Sequence, residues 1–314
     1  MRRPETISCK LCRGSLTERK YALRSNIGID FDAAECEICG LFQVVYDWKA
    51  KEPLTLSTDA DEALADPLWG SEQELRANES KAMTFAQRLA RDGLLQGARV
   101  LEIGCGRGFF LWACRNLGAS VVIGQEFRSS DIAHARDVLG IEDIRPVETN
   151  RADVWPDDEF DLVCSFDVLE HVHDLKTVFE QCLRVVRPGG YLFHATPGYD
   201  SLSHRLGRLL GDHRPTERTM ILAGVLSNVE PALPGHSGGH VSILGIRQLK
   251  WLEQQYSLQI ENMEYVSSYS FSNSHYAAVI PYLQKLPRRL GASIFAVVRA
   301  TIRNKLVFLI RVPD

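Results

Sequence analysis

The sequence predicts an α/β fold, a parallel sheet with helices on both faces, preceded by a small cysteine-rich module. Three observations predict it. From residue 98 onward, short apolar runs alternate with stretches of helical period. A glycine-rich turn, Gly104-Cys105-Gly106-Arg107-Gly108, stands where the first of these runs meets the first helix. Ahead of both, Cys9, Cys12, Cys36 and Cys39 form two C-x-x-C pairs.

The elements follow in order. Segment 71–95 has helical spacing at Leu75, Ala82, Phe85, Leu89 and Ala90, and Gly93 and Gly97 mark its end. A buried strand at 98–104 leads into a helix at 108–118. A second strand at 119–127 leads into a second helix, opened by the cap Ser129-Ser130-Asp131. Residues 144–148 read as a short third strand. The run 160–169 is a fourth, followed by a helix that Arg187-Pro188-Gly189-Gly190 should terminate. Residues 191–197 form a fifth strand. Segment 198–240, rich in Gly, Pro and His, is expected to cross the mouth of the sheet as a lid. A helix at 243–256 and strands at about 258–268 and 305–312 complete the chain, with a helical, apolar and basic insertion at 276–304. The resulting division is a module at 1–50, a linker and helix at 51–95, and the α/β domain at 96–314.

Composition sets limits. The chain has 314 residues, 45% hydrophobic and 24% charged, which is ordinary for a globular protein. A net charge of -4 argues against a general polyanion binder. The N-terminus has no secretory apolar stretch, and no run is long and apolar enough for a convincing membrane span. Besides the two pairs, Cys105, Cys114, Cys164 and Cys182 lie singly in apolar segments. This usage suits a reducing, cytoplasmic compartment.

The glycine turn narrows the chemistry. A dinucleotide fingerprint needs a small residue where this chain has Phe109, so a pyrophosphate seat is disfavoured. The pattern beginning at Glu102 suits a ligand without phosphates, and Glu102 itself can sit near a positive charge. Glu126 ends the second strand, 22 residues after Gly104. A carboxylate there can accept both hydroxyls of a ribose. The alternative is a solvated strand end, but the coupling to the glycine turn favours the ligand.

Four segments in register, beginning at Leu101, Gly124, Phe160 and Leu183, resemble the successive motifs of class I S-adenosylmethionine-dependent methyltransferases. The resemblance covers about 95–200. It implies a Rossmann-like seven-stranded sheet with a reversed edge hairpin made by the last two strands. It places Gly104, Gly106 and Gly108 along the methionine part of the cofactor, Glu126 on the ribose and Phe127 on the adenine. Asp153 and Val154 fall where the family surrounds the adenine amine, and Cys105, Phe166 and Asp167 complete the implied lining.

Methyl transfer from a sulfonium is an in-line displacement, so the protein's tasks are alignment and exclusion of water. A hydroxyl acceptor also needs a base. His171, in Asp167-Val168-Leu169-Glu170-His171 at the carboxyl edge of the sheet, is the first candidate, with pocket shaping as its other reading. His240, after Gly238-Gly239, is the second. His194, His204, His213, His236 and Tyr199 could also approach the acceptor, although a loop histidine is ordinarily solvated.

The two cysteine pairs can supply four thiolates to one tetrahedral zinc ion in a zinc-ribbon-like module, with Gly14 and Gly40 letting the backbone curl beneath the sulfurs. A redox dithiol would not need two such pairs. The first-order role of the zinc is structural. Two groups compete for the rest. One resembles bacterial methyltransferases with a cysteine-rich zinc module that act on sugars or small metabolites. The other resembles ribosomal-RNA methyltransferases with an N-terminal zinc finger. Residues 1–24 are basic, but 30–79 are acidic and no aromatic-basic stacking surface is evident. The expectation is a small-molecule or glycan acceptor methylated at oxygen, carbon or nitrogen. A non-catalytic cofactor-binding scaffold and a zinc-dependent partner module are the remaining alternatives.

Segment 286–304 places Leu290, Ile294 and Ile302 on one helical face with arginines at its edges. It suits either a peripheral membrane contact, fitting a lipid-linked glycan acceptor, or packing on the sheet edge or a second subunit. The oligomeric state is open.

Overall fold

The structure is a computed structural model, and it describes residues 7–24, 30–45, 72–146, 154–199, 241–267 and 303–314. The acidic linker, most of 198–240 and most of 276–304 lie outside the described residues, as do Asp153, His204, His213, His236 and His240.

The elements in chain order are β1 (Leu16–Arg24), β2 (Asp30–Cys36), β3 (Phe42–Val44), α1 (Glu72–Arg91), β4 (Arg99–Ile103), α2 (Phe109–Asn116), β5 (Val121–Glu126), α3 (Ser129–Asp137), β6 (Ile144–Pro146), β7 (Phe160–Phe166), α4 (Leu175–Val185), β8 (Val186–Pro197), β9 (Ser242–Ile243), α5 (Ile246–Gln255), β10 (Gln259–Ser267) and β11 (Arg303–Arg311). A 3-10 turn, Leu169–His171, follows β7.

A seven-stranded sheet has the order β10-β11-β8-β7-β4-β5-β6. The strands from β6 to β8 pair in parallel. β11 inserts antiparallel between β8 and β10, so the last two strands form the expected hairpin at one edge. Successive residues serve opposite faces. Leu101, Val163, Leu192 and Leu306 belong to the core on one side; Val100, Leu162, Phe193 and Val307 belong to the core on the other. Burial on both faces is why these strands read as continuous apolar runs rather than alternating ones.

Helix α1 buries Ala82, Phe85, Ala86 and Leu89, spaced to form one stripe, against the second of these cores. One sequence expectation differs in detail. α4 ends at Val185, and Arg187-Pro188-Gly189-Gly190 does not simply close it. These residues lie inside β8, where the pairing with β7 slips between Phe160↔Val186 and Leu162↔Tyr191. Gly189, at φ 68, makes the irregularity, and its N–H bonds Pro313 O at 3.1 Å.

The second sheet is smaller and wholly antiparallel, in the order β1-β2-β3-β9. Its first three strands come from the cysteine-rich segment. Its fourth comes from the α/β segment, pairing Phe42↔Ile243 and Gln43↔Ser242. Val44 N–H also bonds Val241 O at 3.0 Å.

His194, which the sequence offered as able to approach an acceptor, is sealed in the core. It lies within β8 at 0% exposure, bonded at Nδ1 to Ser165 Oγ at 2.7 Å and packed on Phe308. Burial pulls its pKa down to about 3, so the folded chain holds it neutral. The unfolded chain takes up that proton near pH 6.5, so stability falls as the pH drops below that value. We expect a loss of about 2 kcal/mol between pH 7 and pH 5 from this group. Urea midpoints at the two pH values check it. His194→Gln should show a smaller acid loss than the wild type.

Candidate active site and metal centre

β4 is the strand at which the sheet order switches, with β5 on one side and β7 on the other. Loops leaving its carboxyl end diverge and open a crevice. The first loop is the glycine turn. Gly104, Gly106 and Gly108 have φ of 68°, 50° and 80°, a region that side chains with a Cβ avoid. A Cβ on Gly104 would lie 2.5 Å from Val168 Cγ2, and one on Gly108 would lie 2.9 Å from Ala135 Cβ. These two glycines permit close packing. Gly106 differs, because a Cβ there would meet nothing within 4 Å. Its backbone faces open space, as a surface for a ligand should.

Two carboxylates face this turn. Glu126 ends β5, and its carboxylate accepts the N–H groups of Gly106 (2.9 Å), Phe127 (2.8 Å) and Arg128 (3.0 Å). Glu102, near the end of β4, is 4% exposed, and its Oε2 has no hydrogen-bond partner among the described residues. Burial, reinforced by the charge of Glu126, pushes its carboxyl well above the usual range. A cation brought beside it would favour its ionised form. Phe127 is half-buried, with the Arg128 guanidinium 5.6 Å from its ring centre. Val154 is half-buried too, and its carbonyl accepts from Arg145 at 3.2 Å.

The remaining sequence candidates separate. Cys105 is buried beneath the turn, where its Sγ would meet a Cβ on Gly124 at 2.5 Å, and burial raises its thiol. Phe166 joins an aromatic cluster with Phe85, Phe110 and Phe193, at centroid distances of 5.4, 4.6 and 5.7 Å. Asp167, at φ 55, ion-pairs with Lys81 of α1 at 3.3 Å and with Lys305 of β11. Its carboxyl stays below the usual range because the two ammonium groups overcome its desolvation. Neither lysine was foreseen from the sequence, since they lie on elements far from residue 167 in the chain.

The 3-10 turn carries the base candidate. His171 is half-buried, and its N–H bonds Val168 O at 3.0 Å. Val168 is the residue against which Gly104 packs, so His171 and the glycine turn share one contact. Glu170 beside it is buried and accepts Thr196 Oγ1 at 2.9 Å. Burial, then the charge of Asp167, moves its carboxyl up to about 8. Tyr199 is buried. It donates to Glu35 of β2 and stacks on Phe42 at 5.5 Å.

The four cysteine sulfurs of the small module converge within 4.8 Å of one another, with Cys9 and Cys39 at 3.5 Å and Cys12 and Cys36 at 3.3 Å. Backbone N–H groups point at them: Leu11 (3.4 Å) and Cys12 (3.5 Å) to Cys9 Sγ, and Gly14 (3.4 Å) to Cys12 Sγ. Such donors stabilise thiolates, and four soft ligands in a closed set fit zinc. The hydrogen bonds from Cys39 and Cys9 lower the Cys36 thiol, and the bonds to Cys36 in turn raise Cys9 and Cys39, so the four sulfurs titrate as one set. The knuckles are fastened to the α/β domain. Arg13 ion-pairs with Asp174, which also caps α4 by accepting Thr177 N–H at 3.0 Å. Lys176 N–H bonds Lys10 O at 2.9 Å, and Gln248 Nε2 donates to Cys39 O at 2.8 Å.

The family described as "Methyltransferase domain" matches residues 74–262, and the chain belongs to that family. Over 146 residues the chain is 34% identical to a ubiquinone biosynthesis O-methyltransferase of Bordetella avium, covering 44% of this chain and 59% of that one. A mitochondrial protein of the same name from Dictyostelium discoideum is 32% identical over 130 residues, 37% of this chain and 40% of that one. The matches thus span roughly half the length of these relatives. A solved S-adenosylmethionine dependent methyltransferase from Mesorhizobium loti is similar with TM-score 0.45 and 19% identity, over 72% of this chain and 97% of that one.

Metal analysis should find about one zinc per chain. Cys36→Ser should lower zinc content and folded yield together; unchanged values would reject the four-thiolate site.

Proposed function

We propose that the chain is an S-adenosylmethionine-dependent methyltransferase that methylates an oxygen of a small-molecule acceptor, with a structural zinc ion in its N-terminal module. The observation that carries the reading is the pairing of an open Gly106 backbone with Glu126, beside the unpartnered Glu102 oxygen. The names of the two O-methyltransferase relatives support oxygen as the acceptor atom.

The cofactor supplies an electrophilic methyl group on a sulfonium. The chain's residues do the rest. The glycine turn lets the ligand approach the backbone, and Glu126 exchanges its backbone bonds for ribose hydroxyls. Glu102 answers the cationic end of the ligand, in a buried setting where that charge is weakly screened. Phe127 and Val154 offer apolar surface to the flat base. His171 takes the acceptor proton, held on the same turn that packs against Gly104. The small sheet and Tyr199 wall the acceptor side and exclude water. Among the described residues no helix is long and apolar enough to cross a membrane.

Calorimetric titration should show S-adenosylmethionine binding and no binding of NAD. Glu126→Gln should weaken the former roughly tenfold. His171→Ala should leave that affinity unchanged and lower kcat by about a hundredfold. A kcat within twofold of the wild type would assign His171 to pocket shape instead.

A further inference from the structure

A second cavity lies away from the glycine turn. It occupies about 790 Å³ between the second cysteine knuckle and α5, with Tyr265 of β10 on its far side. Arg247 and Lys250 stand three positions apart on α5, and both are exposed. Trp251, Gln254 and Tyr265 also line the cavity, together with Ile38, which is 58% exposed. The exposed isoleucine and the two half-buried rings give the cavity an apolar wall beside the cations.

Among the described residues neither cation pairs with an acid. Arg247 donates to the carbonyls of Ile38 (3.1 Å) and Glu37 (3.5 Å), and it has no ion pair among the described residues. Lys250 pairs with no carboxylate among the described residues. On the same helix, Glu253 is engaged by Ile260 N–H at 3.0 Å. Arg247 is also held in place. Its side chain lies across Gly40, where a Cβ would come within 2.6 Å of its guanidinium. The knuckle beneath is pinned by Gln248 through Cys39 O. Two positive charges, flat rings and a side-chain amide on a fixed frame match a phosphate-bearing ligand with a planar base.

We propose that this groove binds a nucleoside diphosphate group, and that the acceptor is a nucleotide-linked compound whose reactive hydroxyl reaches the glycine turn. The proposal rests on the methyltransferase reading for the second part alone. Geometry permits the span. β10 runs parallel to β8, so Tyr265 lies toward the carboxyl edge of the sheet, and it approaches Gly198 at the end of β8. Four strand spacings separate β10 from β4, about 19 Å, which is comparable to an extended nucleotide-linked molecule.

The test is equilibrium dialysis of the zinc-loaded full chain against ADP, GDP, UDP and dTDP. At least one should bind saturably, and Lys250→Glu should weaken it roughly tenfold, as should Arg247→Gln. Zinc content and S-adenosylmethionine affinity should not change in either variant. Absence of saturable binding by all four, equal binding by Lys250→Glu, or capture of a polyglutamate peptide in place of the nucleotides overturns the proposal. S-adenosylmethionine titrated separately reports on the methyltransferase reading, so its failure is distinguishable from failure of the groove.

Discussion

The contact of Gly104 with Val168 is the constraint on which the site depends. It joins the turn after β4 to the turn after β7, the two loops that diverge at the switch in strand order. Any side chain at 104 would force them apart, and Val168 would carry the 3-10 turn with it. The cofactor-side turn and the base candidate are therefore set by one close approach. The open face at Gly106 follows, because its neighbours on either side are fixed by packing while a Cβ on Gly106 would meet nothing within 4 Å.

A second set of interactions sets charge around that frame. Glu102 and Glu126 place two acids beside the glycine turn, one unpartnered and one held by three backbone N–H groups. Beyond the turn after β7, Asp167 is balanced by Lys81 and Lys305 from two other elements. Among the described residues Glu102 and Glu126 have no ion-pair partner, whereas Asp131 beside the turn pairs with Arg107 and Arg128 and Asp167 with two lysines. That difference suits a cationic ligand beside the two glutamates and a neutral acceptor beside Asp167. The single cysteines contribute nothing to this pattern. Burial raises the thiols of Cys114, Cys164 and Cys182, which keeps them protonated and unreactive.

What could be read from the sequence was what is encoded locally. The glycine turn, Glu126 and the two C-x-x-C pairs announce themselves by spacing, and the alternating runs gave all seven strands of the large sheet. The partners of those residues could not be read. Lys305 reaches Asp167 from the last strand, Tyr199 reaches Glu35, and Arg13 reaches Asp174, each across a large stretch of chain. Only the fold brings them together, and no period or motif marks them. His194 was misplaced for a related reason. Its neighbours mark a strand end, but the strand's inward register decides that it faces Phe308 rather than the acceptor.

The origin of β9 has a consequence for how the chain acquires its structure. The N-terminal sheet borrows its last strand from Ser242–Ile243, and Val241 N–H bonds Glu170 O at 2.7 Å. During vectorial synthesis the first module therefore emerges early but waits, one edge unpaired, until the ribosome has delivered most of the α/β domain. Closing that distant pairing is entropically costly. A metal ion captured early by the four sulfurs would hold the unfinished sheet together in the interval, acting as a folding clamp before it has any other duty.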